Sequence, residues 1–201
     1  MIKYIAILSL LVLNIEANAG WHLKKDKDDI RIYTRNVDGS SFLEFKAIME
    51  VNNVNLKEVL EVILDVENYD RLYADCINPV LFEKRGEYFD IHYIQTKGPF
   101  TVRDRDGVYK QTTEVNHEGD YAIVRLEPLP DYIEEKKNIV RMQDGTGFWE
   151  LIESDLGTVT ITYQFHGEPG GNIPAVLANR FVVSHPFNTM RNLKLRLVND
   201  N

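Results

Sequence analysis

Between residues 77 and 168 of this 201-residue chain, short runs rich in β-branched and aromatic residues are separated by equally short breaks. The breaks carry turn chemistry: Arg85-Gly86-Glu87, Lys97-Gly98-Pro99, His117-Glu118-Gly119-Asp120, Pro128-Leu129-Pro130, Asp144-Gly145 and Asp155-Leu156-Gly157. Breaks this short leave room for hairpins but not for helical crossovers, so the strands between them must run antiparallel. The segments expected to be strands are 77–83, 88–96, 102–115, 121–127, 139–141, 147–153 and 158–166.

Two further strands precede this meander, at 28–37 and 42–51. In the second, Leu43, Phe45, Ala47, Met49 and Val51 alternate with Glu44, Lys46 and Glu50, as expected of a half-buried strand. Asn55 followed by Glu58 has the spacing of a capping box, and Leu56, Val59, Leu60, Ile63 and Leu64 then recur at helical spacing. A second short helix is expected near 68–72. The sheet ends at Gly170-Gly171, and Pro174 opens a last helix running toward residue 197. Val183, Met190, Leu193 and Leu197 form its apolar stripe, with Val182 and Phe187 at the margins. Arg180, Arg191 and Lys194 form a neighbouring basic stripe, read either as a solvated face or as a contact for anionic lipid head groups or a ligand's acidic group. Pro186, mid-helix, removes a backbone donor and weakens the helix there. The expected fold class is α+β, a curved antiparallel β-sheet with helices on one face.

Residues 1–19, MIKYIAILSLLVLNIEANA, combine Lys3, an apolar run from Ile5 to Leu13 and Ala17-Asn18-Ala19. That is the pattern of a secretory signal peptide, and the run is too short for a stable membrane-spanning helix. The expectation is a leader at 1–19, one domain at 20–201, and export to a bacterial periplasm or medium. The net charge of −8 is shared by the domain alone, because Lys3 and Glu16 cancel. An acidic domain argues against nucleic acid as a partner. The single cysteine, Cys76, leaves no internal disulfide and is read as a buried structural thiol. His22, His92, His117, His166 and His185 are scattered without ligand spacing, and no phosphate loop or nucleophile elbow occurs, so no metal, cofactor or catalytic residue is assigned.

In 98–109, GPFTVRDRDGVY, the charged run Arg103 to Asp106 interrupts an otherwise apolar strand. Either it sits at a sheet edge, paired with neighbours and solvent, or it places an arginine inside a cavity. This stretch and residues 170–197, GGNIPAVLANRFVVSHPFNTMRNLKLRL, together resemble bacterial members of the StAR-related lipid-transfer family. The match includes Arg105-Asp106, the Gly-Gly-x-Ile-Pro opening, Leu-Ala-Asn, the mid-helix proline and Thr-Met-x-Asn-Leu-Lys. The order of elements agrees across 20–201. Gly107 departs from the family, which often has a bulky residue there. His92 and Gln111 fall where some sterol-binding members carry a buried acid–arginine pair.

The resemblance implies a helix-grip fold, with the sheet wrapped around the long C-terminal helix and a tunnel between them. It further implies a hydrophobic small molecule or lipid as partner, with transient membrane contact during transport. Strand alternation nominates Phe45, Met49, Phe89, Ile91, Tyr93, Gln95, Arg105, Tyr109, Gln111, Trp149, Tyr163 and Phe165 for the wall, with His92 added by the family match. Val183, Phe187 and Met190 are the helix's contribution. For each the competing reading is ordinary core packing. The alternative function is an enzyme resembling the polyketide cyclases and dehydratases, with His92, Arg105 or Tyr93 as acid, base or oxyanion stabiliser.

Overall fold

In the computed structural model, which describes residues 20–98, 102–154 and 157–199, ten strands build one sheet. They are β1 (His22–Lys27), β2 (Ile30–Arg35), β3 (Glu44–Asn52), β4 (Cys76–Lys84), β5 (Phe89–Thr96), β6 (Arg105–Val115), β7 (Tyr121–Pro128), β8 (Val140–Arg141), β9 (Asp144–Ser154) and β10 (Thr158–Glu168). The helices are α1 (Leu56–Ile63), α2 (Tyr69–Leu72) and α3 (Ala175–Asn199). Strand order is β1-β2-β3-β10-β9-β7-β6-β5-β4, antiparallel throughout, and β8 pairs in parallel with β6 beside this path. The α+β, helix-grip reading is the observed architecture: the sheet curves around α3. The leader expected at 1–19 lies outside the described residues.

α1 forms where its capping box predicts. Asn55 Oδ1 accepts from the Glu58 amide at 3.0 Å, and Glu58 Oε2 accepts from the Asn55 amide at 2.8 Å. Its buried face (Leu56, Val59, Leu60, Val62, Ile63) packs into the main core. Burying side chains of this kind contributes about 1.5–3 kcal/mol each. Strand β1 was not anticipated, because HLKKDK offers only Leu23 as an apolar side chain, and Leu23 is exposed. Backbone pairing to β2 holds it. The turn between them places Asp28 and Asp29 at φ 56° and 64°, the left-handed pair a tight hairpin requires and aspartate tolerates.

α3 divides at Pro186. Beyond it, Phe187, Met190, Leu193 and Leu197 lie in the core. Thr189 Oγ1 accepts from the Ala74 amide at 3.1 Å, Asn192 donates to Leu72 O at 3.2 Å, and Arg196 pairs with Asp65 at 2.8 Å. Before it, Val176 and Leu177 are exposed and only Ala178 is fully buried. The C-terminal half is therefore an anchor and the N-terminal half a cover.

Candidate functional site

The cover and the concave face of the sheet border a partly open cavity of about 220 Å³. Its floor comes from β3, β5, β6, β7 and β10, where aromatic rings lie against strands kept thin by glycine. A Cβ on Gly107 would stand 2.6 Å from the Tyr109 ring, and one on Gly147 would stand 2.6 Å from Phe165. No side chain fits at that spacing without moving the ring, which accounts for glycine in place of the family's bulky residue. The rings form a connected set. Phe45 meets Tyr163 at 5.0 Å, Tyr109 meets Phe165 at 6.3 Å, and Trp149 stacks on Tyr163 at 4.0 Å from below.

The cover comes from three segments. Ile173, Ala178, Phe181, Val182 and His185 belong to α3 and the turn before it, Phe42 and Leu43 precede β3, and Lys97, Gly98 and Val102 flank the β5–β6 connection. Polar clamps hold them together. Asn179 Oδ1 accepts from the Leu43 amide at 3.0 Å and its Nδ2 donates to Ser41 O at 3.3 Å. Arg105 donates from Nε to Pro169 O at 3.3 Å and from Nη2 to Gly170 O at 3.4 Å, and Nη1 reaches Arg103 O. Its guanidinium thus latches the chain leading into α3. Burial and the neighbouring Arg103 draw its pKa down.

Deeper in, a buried polar chain runs across β5 and β6. His92 Nδ1 lies 2.6 Å from Asp90 Oδ1, Gln111 Nε2 donates to Asp90 Oδ2 at 2.7 Å, and the Tyr69 hydroxyl sits 3.1 Å from Gln111 Oε1 and 2.9 Å from Ile63 O. Asp90 and His92 are 5% and 2% exposed. A carboxyl group this buried needs polar partners, and Gln111 and His92 supply two. The hydroxyls on the wall stay protonated: burial holds Tyr73, Tyr109 and Tyr163 well above the ordinary tyrosine range. Burial also pulls His185 below the ordinary histidine value, the Asp75 carboxylate opposing it in part.

Of the residues nominated from sequence, Phe45, His92, Arg105, Tyr109, Tyr163 and Phe165 line the cavity. Phe89, Ile91, Tyr93 and Gln95 do not, and their placement is a correction. Ile91 and Tyr93 pack with Val108 in a second cluster, joined by Phe89, Leu129 and Ile133. Gln95, beside Tyr93, donates to Asp104 at 2.7 Å. The segment between β7 and β8 folds over the outer face of β5 and β6, so β5 is buried on both sides. Its more apolar side chains face that segment, while the parity carrying Asp90, His92, Ile94 and Thr96 faces inward. Met49, Trp149, Phe187 and Met190 belong to the solid core, Gln111 to the polar chain, and Val183 packs against the core. Phe42, Leu43, Tyr73, Ile94, Met142, Phe181 and His185 line the cavity without having been nominated. For Ile94 the signal was present, since it shares parity with His92; Tyr73 and Met142 lie outside the alternating segments used.

Asp106, the other half of the Arg-Asp motif, points away from the cavity. Its carboxylate takes Arg141 Nε at 2.8 Å and Nη2 at 3.1 Å, both side chains 1% exposed. Arg141 also donates to Pro130 O and Ile133 O, tying the β7–β8 segment to the sheet. Among the described residues no group of three or more His, Cys, Asp or Glu could hold a metal ion.

A curved sheet gripping a two-part helix over an apolar cavity defines the class of helix-grip proteins. Comparison sharpens this. A STAR-related lipid transfer protein from Xanthomonas axonopodis superposes with a TM-score of 0.81 at 36% identity, covering 89% of this chain and 98% of that one. An uncharacterised Pseudomonas aeruginosa protein is 32% identical over 192 residues, 94% of this chain and 93% of its own. Mouse phosphatidylcholine transfer protein is 25% identical over 166 residues, 80% of this chain and 76% of its own. Human STARD10 shares the fold at a TM-score of 0.77 and 18% identity, over 91% of this chain and 75% of that one. No protein-family model matches the sequence. The chain belongs to the StAR-related lipid-transfer family.

Proposed function

We propose that the protein binds one apolar or lipid-like molecule in the cavity under α3 and carries it through an aqueous space. The observation that carries this reading is the apolar cavity itself, walled by Phe45, Tyr109, Tyr163, Phe165 and Phe181 beneath a clamped cover. Enclosure of an apolar ligand there is favourable by about 0.8 kcal/mol per buried CH₂. Its volume of about 220 Å³ lies below the roughly 300–1,000 Å³ of drug-sized sites. It suits a single-chain or compact ring molecule with the cover closed.

Loading requires the cover to move. The half of α3 before Pro186 is the segment to do so, because the half after it is fixed to Ala74, Leu72 and Asp65. Val176 at 70% and Leu177 at 40% exposure stand on the outside of that cover, with Arg180 on the same helix and Arg103 beside Gly171. Apolar tips among cations favour brief contact with an anionic bilayer surface, where the ligand would be exchanged. The 1–19 leader pattern adds the inference that the aqueous space lies outside the cytoplasm.

Mild purification followed by native mass spectrometry and organic extraction tests the reading. The expected result is a stoichiometric adduct that releases a lipid-like molecule. A protein that is always empty, and that binds nothing in a broad panel of lipids, would sink it.

A further inference from the structure

We infer that Gly107, Gly145, Gly147 and Gly167 set how large a ligand the cavity accepts, by letting the Tyr109 and Phe165 rings lie flat on bare backbone. This rests on the reading that the cavity takes an apolar molecule, and it concerns the length of that molecule's buried part.

Strand register brings the glycines together. Phe165 pairs with Gly147 and Gly167 pairs with Gly145, so all four positions share the inward face of β9 and β10. Only Phe165 carries a side chain there, and its ring occupies the space that the glycines leave. Cβ atoms on Gly145, Gly147 and Gly167 would stand 2.9, 2.6 and 2.8 Å from Phe165 ring carbons. On β6, Gly107 precedes Tyr109 by two residues and shares its face. A Cβ there would stand 2.6 Å from the Tyr109 ring and 2.9 Å from its hydroxyl. The Gly145 Cβ would also lie 3.3 Å from that hydroxyl, so the bare backbone underlies both rings.

Tyr109 and Phe165 border the cavity, whereas the β9 glycines do not; Phe165 lies between. A ring lying down leaves the space above it to a ligand. Carbon atoms settle about 3.5–4.0 Å apart, so a methyl group beneath either ring must lift it by about 1 Å. Phe45 and Tyr109 each stand 6.3 Å from Phe165 and limit sideways escape. The lifted ring therefore moves into the cavity, whose volume is only about 220 Å³. Gly107 and Gly145 are the clean positions for this change, because their Cβ atoms would meet ring atoms alone. At Gly147 a Cβ would also strike Gln164 O at 2.5 Å.

The test is isothermal titration of the full chain with 1-octanol, 1-decanol, 1-dodecanol and 1-tetradecanol. In the wild type each added methylene should tighten binding about fourfold until the cavity is filled, and affinity should then level off. Gly107→Ala and Gly145→Ala should level off at a shorter alcohol. Phe165→Leu lacks the Cζ atom that the Gly145 Cβ would meet at 2.9 Å; added to Gly145→Ala, it should restore at least the wild-type limit. Phe165→Ala alone should extend that limit. The readout is the ratio between alcohols, which a uniform loss of affinity or stability does not move, and melting temperatures show which variants are folded. An unchanged limit in folded Gly107→Ala and Gly145→Ala overturns the inference while leaving lipid binding intact. If neither alanine variant folds, Phe165→Ala decides, and an unchanged limit there overturns it too. A wild-type series that never levels off does the same, since the rings would then set no limit. If no alcohol binds at all, the inference falls with the reading beneath it.

Discussion

Asn179 grips the loop across from it at two points, accepting from the Leu43 amide at 3.0 Å and donating to Ser41 O at 3.3 Å. It clasps the half of α3 before Pro186 to the segment before β3. Each neutral hydrogen bond of this kind contributes about 0.5–1.5 kcal/mol. Asn179→Ala should therefore speed ligand release several-fold in stopped-flow measurements while lowering global stability by about 1–3 kcal/mol. Unchanged release kinetics would show that the cover opens elsewhere.

The Asp106–Arg141 pair supports a different expectation, because it is sealed from water and fully hydrogen-bonded. Removing one partner leaves the other charge buried, which typically costs about 3–5 kcal/mol. Arg141→Met should shift the urea midpoint sharply. Asp106→Leu with Arg141→Met together should cost much less than the sum of the single changes. Additive losses would mean that the two groups do not interact as a pair.

How far the sequence disclosed this arrangement depends on which residue set each local signal. The capping box at Asn55 and Glu58 is self-contained chemistry, so α1 was legible. The meander was legible because Gly, Pro and Asp punctuate it. The cavity wall was harder to read. On β5 the alternation Phe89, Ile91, Tyr93 points outward, since a second apolar layer from the β7–β8 segment covers that face. Nothing near β5 in sequence announces that layer; it depends on Arg141 reaching Asp106 across 35 positions. The inward parity holds Asp90 and His92, polar residues that pattern-reading assigns to solvent. In α3 the apolar stripe was read correctly, but the residues that border the cavity, Ala178, Phe181, Val182 and His185, lie before Pro186, while the core-forming ones start at Phe187.

Cys76 gives a chemical prediction. Burial, with a smaller contribution from Asp70, pushes its thiol up to about 12. Only the thiolate is nucleophilic. The folded protein should resist thiol reagents at pH 8 over hours and react at once in denaturant. Rapid labelling of the native state would place Cys76 in a far more open environment.

His185 makes the cover sensitive to acid. Its pKa in the closed protein is lowered by burial below the ordinary 6.5, so the closed state binds fewer protons than the open or unfolded one near that pH. The resulting stabilisation is fully present above about 6.5 and is lost as pH falls through the lower, folded value. Asp75 limits the effect, and Lys97, Arg105 and His92 also border the same space. Wild-type protein should lose denaturant stability between pH 7.5 and 5 more steeply than His185→Gln. Parallel profiles would remove His185 from the account.

The sharpest mechanical prediction concerns Pro186. It is buried within α3 and cannot donate to the carbonyl of Val182, one turn earlier, on the cavity wall. That missing bond falls at the boundary between the anchored and covering halves, where a pivot needs least backbone to break. Pro186→Ala restores the donor and removes a residue that disfavours helix interiors by up to about 3 kcal/mol. It also deletes buried ring atoms, which offsets part of the gain. Stability should thus rise modestly or hold. Ligand exchange should slow, and amide protons of residues 176–185 should exchange more slowly with solvent, while those of 187–197 stay unchanged. Exchange as fast as in the wild type, in a variant whose helix is measurably firmer, would mean that α3 stays closed during loading and that the ligand passes instead beside Lys97 and Val102.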